Sequence, residues 1–150
     1  MFNILRPLIF KFSPEVAHSL AIKALKLNNI PYSKPKDNHI LETTFCEKKL
    51  SSPIGVAAGF DKNAEVYNPL FNLGFGFVEV GTITPKPQFG NPKPRVFRLE
   101  EDEALINRLG FNNSGSEQIS KRIKENNKKG FLGINIGPNK DSTNLSLIHI

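Results

Sequence analysis

Three short apolar runs constrain the fold more than any other feature of the chain. Ile54–Gly59 (IGVAAG), Phe77–Thr82 (FVEVGT) and Phe131–Ile136 (FLGINI) are rich in small and β-branched side chains. Runs this short, and largely apolar on both faces, read as strands buried in a parallel sheet. Each leads into a polar or glycine motif: AGFDKN, GTITP and NIGPNK. Helical stretches lie between them, one over Ala64–Leu73 and one that Ser114 caps and that reaches about Lys128, its lysines suiting the C-terminal end. Strand, helix, strand, loop, helix, strand means parallel βα units and an α/β class. Polar groups at the C-terminal ends of successive strands suit a (β/α)8 barrel and an open doubly wound sheet alike. The chain contains neither GxGxxG nor a P-loop, which speaks against dinucleotide and nucleoside-triphosphate binding.

The first quarter of the chain has another character. Residues 2–12 read as a short helix with Ile4, Leu5, Leu8, Ile9 and Phe12 on one side, and Pro7 marking a bend. Ser13-Pro14-Glu15 is a helix start: a hydroxyl cap, proline in the first turn and an acid beside it. The helix that follows runs to about Asn28, with Val16, Leu20, Ala24 and Leu27 as a stripe widened by Ala17, Ala21 and Leu25. Residues 31–38 are a linker by composition, and Ile40–Cys46 reads as a strand. Four prolines within 85–94 require a loop, and Arg95–Leu99 reads as a short strand. Residues 1–36 carry six basic residues against the single acid Glu15, within a net charge of +6. Such a segment can face nucleic acid, an anionic membrane or plain water. The single Cys46 excludes an internal disulfide and a multi-cysteine metal site. No apolar stretch reaches the ~18 residues of a membrane-spanning helix, and no signal-peptide cleavage site follows the N-terminus.

Four constellations carry chemistry. In Ala57–Asn63, small residues at a strand end let a flat ring or a phosphate approach the backbone, and Lys62 sets a cation above it. That cation suits the pyrimidine end of a reduced flavin or a substrate carboxylate; a glycine turn with a surface lysine would look the same. Thr82 can bond a ligand or close its own turn. Asn107–Asn113 packs three amides and Arg108 into seven residues, and amides match the alternating donor and acceptor edge of a pyrimidine or flavin ring. An Asn-rich turn is the plainer alternative. Asn135 alternates with Ile134 and Ile136, so it points to the opposite face of its strand, where a cofactor or the backbone must satisfy it.

Together these motifs resemble one family. SPIGVAAGFDKNAE, GFGFVEVGTITPKPQFGNPKPRVFRL, ALINRLGFNN and LGINIGPNK are similar, nearly phrase for phrase, to the dihydroorotate dehydrogenases over roughly residues 50–140. SPEVAHSLAIKAL resembles the helix pair of the membrane-associated, quinone-dependent class. The resemblance implies a partial (β/α)8 TIM barrel over 51–141, preceded by a membrane-associated helix pair over 1–30 and a linker and strand over 31–50. It implies bound FMN, oxidation of (S)-dihydroorotate to orotate in pyrimidine synthesis, and quinone as electron acceptor. Ala58, Gly59, Phe60, Asp61, Lys62, Thr82 and Asn135 would contact FMN. Lys62 with Asn107, Arg108, Leu109, Gly110 and Phe111 would contact the substrate, and His18 and Arg98 the quinone. Read without the family, His18 is a structural histidine beside an apolar stripe and Arg98 a strand-edge charge. The location implied is peripheral, on the cytoplasmic face of the inner membrane, with no nucleic-acid partner and no metal. A whole barrel needs about 250 residues, so an inactive N-terminal fragment is expected, with the catalytic base beyond residue 150. Ser142–Ile150 departs from the family pattern and is expected to be non-native.

Overall fold

A computed structural model describes residues 2–27, 39–126 and 130–142. The linker over 31–38, Lys128 and all of the expected non-native tail but Ser142 lie outside the described residues. Helix α1 spans Phe2–Phe10, running through Pro7, and α2 spans Pro14–Lys26. Pro14 opens α2 as expected, but the Ser13 hydroxyl makes no capping bond; its carbonyl takes the first helical N–H, from Ala17 at 2.9 Å. Ile22 and Leu25 face the core, whereas Val16, Leu20 and Leu27 stay exposed. Val16, Leu20, Ala24 and Leu27 of the expected stripe are therefore the outward side of the helix, and it is the widening edge of Ala17, Ala21 and Leu25 that turns toward the core.

The expected strand over Ile40–Cys46 is instead a 3-10 turn at His39–Leu41 followed by a hairpin, β1 (Thr43–Phe45) and β2 (Lys48–Leu50). Cys46 and Glu47 form its turn with φ of 48° and 61°. Those are the values of a tight primed hairpin turn, usually built from Asn and Gly, and their absence hid the turn. Phe45 meets Phe131 edge to face at 5.5 Å, which seats the hairpin against the sheet.

The sheet itself is parallel, in the order β3 (Gly55–Val56), β4 (Phe77–Ile83), β7 (Phe131–Ile136). All three apolar runs join it, although the first contributes only two residues, because the chain leaves the ladder at Ala57. Helix α3 is shorter than expected, Tyr67–Asn72, since Asp61 holds the preceding residues in a turn. Helix α4 spans Ser116–Glu125 and starts after Gly115, not at Ser114. The Asn113 side chain takes the Gly115 N–H at 2.8 Å, the role expected of Ser114. Val78 and Val80 of β4 pack against Val66, Tyr67, Leu70 and Ile119, with Ile22 and Leu25 of α2 completing the core. Period-2 alternation turns Phe77 and Glu79 to the opposite face.

The stretch Arg95–Leu99 is half of a second hairpin. β5 (Val96–Leu99) pairs antiparallel with β6 (Ala104–Asn107) across an acidic turn. This hairpin rises beside α2 and carries the Asn107–Asn113 loop.

Candidate active site

Gly59–Lys62 leaves the end of β3 and faces α2 and the β5–β6 hairpin across a cleft of about 680 Å³. Gly59, Phe60, Asp61, Lys62, Asn107, Leu109, His18 and Arg98 all line it. Residues expected from four separate stretches of sequence are thus brought to one place. Ala58, Arg108, Gly110 and Phe111 do not line the cleft. Arg108 turns outward, donating to the Pro94 carbonyl at 3.1 Å with Phe97 under its guanidinium. The Gly110 carbonyl accepts the Gln88 side chain at 2.9 Å, and Phe111 is exposed.

The Lys62 amine donates to the Gly59 carbonyl at 2.6 Å, which curls the side chain over the strand end. Burial pushes its pKa below the usual lysine value, and the Glu15 carboxylate pushes partly back. An anion entering the cleft would favour the charged form further. Asp61 does something else. It is 1% exposed, and its two oxygens take the Glu65 and Val66 N–H groups at 2.7 and 2.8 Å. Burial raises its pKa despite these bonds. Both oxygens hold the turn into α3, so Asp61 shapes the loop beneath Lys62.

Thr82 and Asn135 sit on the helix-free face of the sheet. The Thr82 hydroxyl donates to Asn135 Oδ1 at 2.6 Å, and Asn135 Nδ2 donates to Glu79 Oε1 at 3.0 Å. Asn135 does point away from Ile134 and Ile136, which are half exposed on the other side. Gly81 makes this approach possible: at φ 114° a Cβ would lie 2.5 Å from the Asn135 carbonyl oxygen.

On the α2 side, His18 Nε2–H donates to the Phe60 carbonyl at 2.7 Å, and its ring meets the Phe60 ring edge to face. Burial holds its pKa below the ordinary histidine value. Arg98 donates to the Phe12 carbonyl at 2.8 Å and lies 4.5 Å over the Phe10 ring. It fastens the α1–α2 turn to β5.

Three groups have roles that the sequence did not assign, although Asn112 and Asn113 belong to the expected Asn107–Asn113 constellation. Asn113, buried, donates to Thr84 Oγ1 at 2.9 Å and to the Phe111 carbonyl at 2.8 Å, tying the loop to the end of β4. Asn112 Oδ1, buried at the cleft wall, has no hydrogen-bond partner among the described residues. The third is the Glu15–Arg95 pair. Arg95, 7% exposed, donates to Glu15 Oε1 at 2.6 Å and to the Phe89 carbonyl at 2.7 Å. Its own carbonyl accepts the Arg108 N–H at 2.8 Å. The signals in the sequence were Glu15 as the single acid of residues 1–36 and an arginine just after a proline-rich loop, with nothing to pair them.

Arg95 is buried, but Glu15 is partly exposed and keeps Lys93 at 3.4 Å as a second cation, so Arg95→Met should destabilise the fold by about 1–3 kcal/mol, less than the loss of a fully buried pair. Arg95 holds the Glu15 pKa below its ordinary 4.5. A depressed carboxylate stabilises above the unfolded value and loses that contribution as pH falls through the folded value. The gap between parent and Arg95→Met should therefore narrow below about pH 4.5. Urea denaturation at pH 7 and pH 4 measures this; equal stabilities at pH 7 would discount the pair.

The family model described as "Dihydroorotate dehydrogenase" matches residues 40–147. A dihydroorotate dehydrogenase (quinone) from Rhodospirillum rubrum is 52% identical over 134 residues, covering 89% of this chain and 36% of the relative. One from Erythrobacter litoralis is 51% identical over 143 residues, covering 95% and 41%. Among solved structures, DHODH from Eimeria tenella in complex with ferulenol superposes with a TM-score of 0.82 at 44% identity, covering 88% of this chain and 38% of that one. The chain therefore spans well under half the length of the relatives it matches. With a family model over most of the chain and half of all aligned residues shared with such relatives, the chain belongs to the dihydroorotate dehydrogenase family.

Proposed function

We propose that this chain contributes the first strands of a (β/α)8 barrel to an FMN-dependent enzyme that oxidises dihydroorotate to orotate and passes the electrons to a quinone. The observation that carries the reading is the shared cleft, in which Lys62 and Asn107 face His18 and Arg98. A substrate-side group and a quinone-side group then meet around one strand end.

The residues fit a flavin. Gly59, at φ 106°, has nothing within 4 Å of where a Cβ would stand, so a flat ring can lie against the backbone. Lys62 offers two further N–H donors beyond the one on Gly59. Thr82 and Asn135 offer polar groups on the sheet face. When bound, FMN supplies the hydride acceptor. Lys62 balances negative charge on the ring or on the substrate carboxylate. Asn107 orients the substrate through donor and acceptor together. His18 and Arg98 brace α2 over the cleft, so the quinone would enter beneath the helix pair.

No helix among the described residues is long and apolar enough to cross a membrane. Leu8, Val16, Leu20 and Leu27 are 45–71% exposed on the helix pair. Such a surface supports peripheral binding to a lipid face, on the cytoplasmic side of the inner membrane, helped by Lys11 and Lys23.

The test uses a full-length chimaera in which residues 1–141 are joined to the remaining length of the Rhodospirillum rubrum relative. It should purify yellow, release FMN on denaturation and reduce quinone when dihydroorotate is added. A folded, colourless product would refute the flavin assignment.

A further inference from the structure

We infer that Glu79 is a positioning residue: it fixes the Asn135 amide so that Asn135 and Thr82 present a donor beside an acceptor, a pattern selective for a cyclic imide edge. This rests on the flavin reading above. Glu79 stands in the middle of β4, a charged side chain inside an otherwise apolar run, directly opposite Gly133 in the register. With no side chain at 133, Glu79 reaches diagonally to Asn135, where Oε1 accepts Nδ2–H at 3.0 Å. Thr82 donates to Oδ1 of the same amide at 2.6 Å.

Thr82 alone could not decide which way the amide faces, because a hydroxyl donates or accepts equally well. A carboxylate only accepts. Flipping Asn135 would set two acceptor oxygens against each other, so Glu79 decides. The consequence runs along the chain. Oδ1 toward Thr82 commits the hydroxyl proton, leaving Thr82 Oγ1 as an acceptor. The second Nδ2–H has no other partner among the described residues and remains as a donor. All three side chains are only half buried, so a ligand can reach them. The complementary ligand edge carries an N–H next to a C=O. The pyrimidine ring of a flavin has that edge, as does dihydroorotate; the position of Thr82 and Asn135 on the sheet, outside the Lys62 cleft, favours the flavin.

The test compares FMN with 3-methyl-FMN, which lacks the imide proton, on the apo form of the full-length chimaera, following flavin fluorescence. The parent should prefer FMN by about tenfold, the worth of one hydrogen bond and the unpaired acceptor left behind. Glu79→Leu should lose that preference and shift the absorbance bands of bound FMN. Glu79→Gln, which keeps an accepting oxygen, should restore both; a merely structural role would not distinguish flavins in this way. A parent that binds the two flavins equally overturns the inference without any variant. So does Glu79→Leu with unchanged preference, or a raised KM for dihydroorotate at unaltered FMN affinity. A parent that binds neither flavin takes the functional reading down as well.

Discussion

Removing residues 1–30 from the full-length chimaera should abolish reduction of a long-tailed quinone and binding to anionic liposomes, while dihydroorotate still reduces a soluble acceptor. α1, α2 and the turn between them carry exposed Leu5, Leu8, Ile9, Phe12, Val16 and Leu20. Each Leu- or Phe-sized side chain contributes about 1.5–3 kcal/mol when fully buried. Several of them inserted shallowly, with about 1 kcal/mol per basic residue near anionic lipid, suffice for reversible attachment. The deletion has a second effect that the structure makes unavoidable. It removes Glu15 from Arg95, His18 from the Phe60 carbonyl, and Ile22 and Leu25 from the core. The truncated enzyme should therefore melt lower even with its flavin in place. Replacing Leu8, Phe12 and Leu20 by serine avoids that cost, since all three already face outward. It should reproduce the loss of liposome binding without the loss of stability. Quinone reduction at the parent rate after deletion would leave the helix pair without a role in electron transfer.

Lys62→Ala should weaken FMN retention and raise the KM for dihydroorotate, each by about ten- to hundredfold, the range of hydrogen bonds to a charged group. One amine is asked to serve two ligands, so both constants should move together. The Gly59 carbonyl that accepts Lys62 at 2.6 Å is exposed, and water can replace the amine there. Little of the effect should then come from a collapsed loop, because Asp61 holds the turn into α3 on its own. A variant with normal turnover and normal flavin content would remove Lys62 from both sites.

The parallel strands were legible because each is an unbroken apolar run, and burial on both faces leaves that mark. Both hairpins were not. Cys46-Glu47 and the acidic stretch Glu100–Glu103 turn the chain without Gly, Pro or Asn, and Asp102 alone is a weak turn signal. β6 also lacks alternation, since all four of its residues are exposed. At the site, the motifs gave the right neighbourhood but not the division of labour. Asp61 reads as a ligand contact beside Lys62, and its carboxylate also holds the backbone of the turn. Glu79 was visible as a charge inside a strand, yet its meaning depends on a residue 56 positions away. Glu15–Arg95, 80 positions apart, belongs to the same kind: pairs that exist only once the topology is known.

The fastenings of α2 and its turn fall into two sorts with different histories under mutation. His18 and Arg98 donate to the main-chain carbonyls of Phe60 and Phe12, and every residue type supplies such an acceptor. Drift at positions 60 and 12 leaves those bonds standing, so only a change in the donor can break them. Glu15–Arg95 and Lys26–Glu65 join side chain to side chain and can be broken from either end. Across diverging lineages, positions 15 and 95 should change in concert or not at all, whereas 18 and 98 can stay fixed while their partners wander.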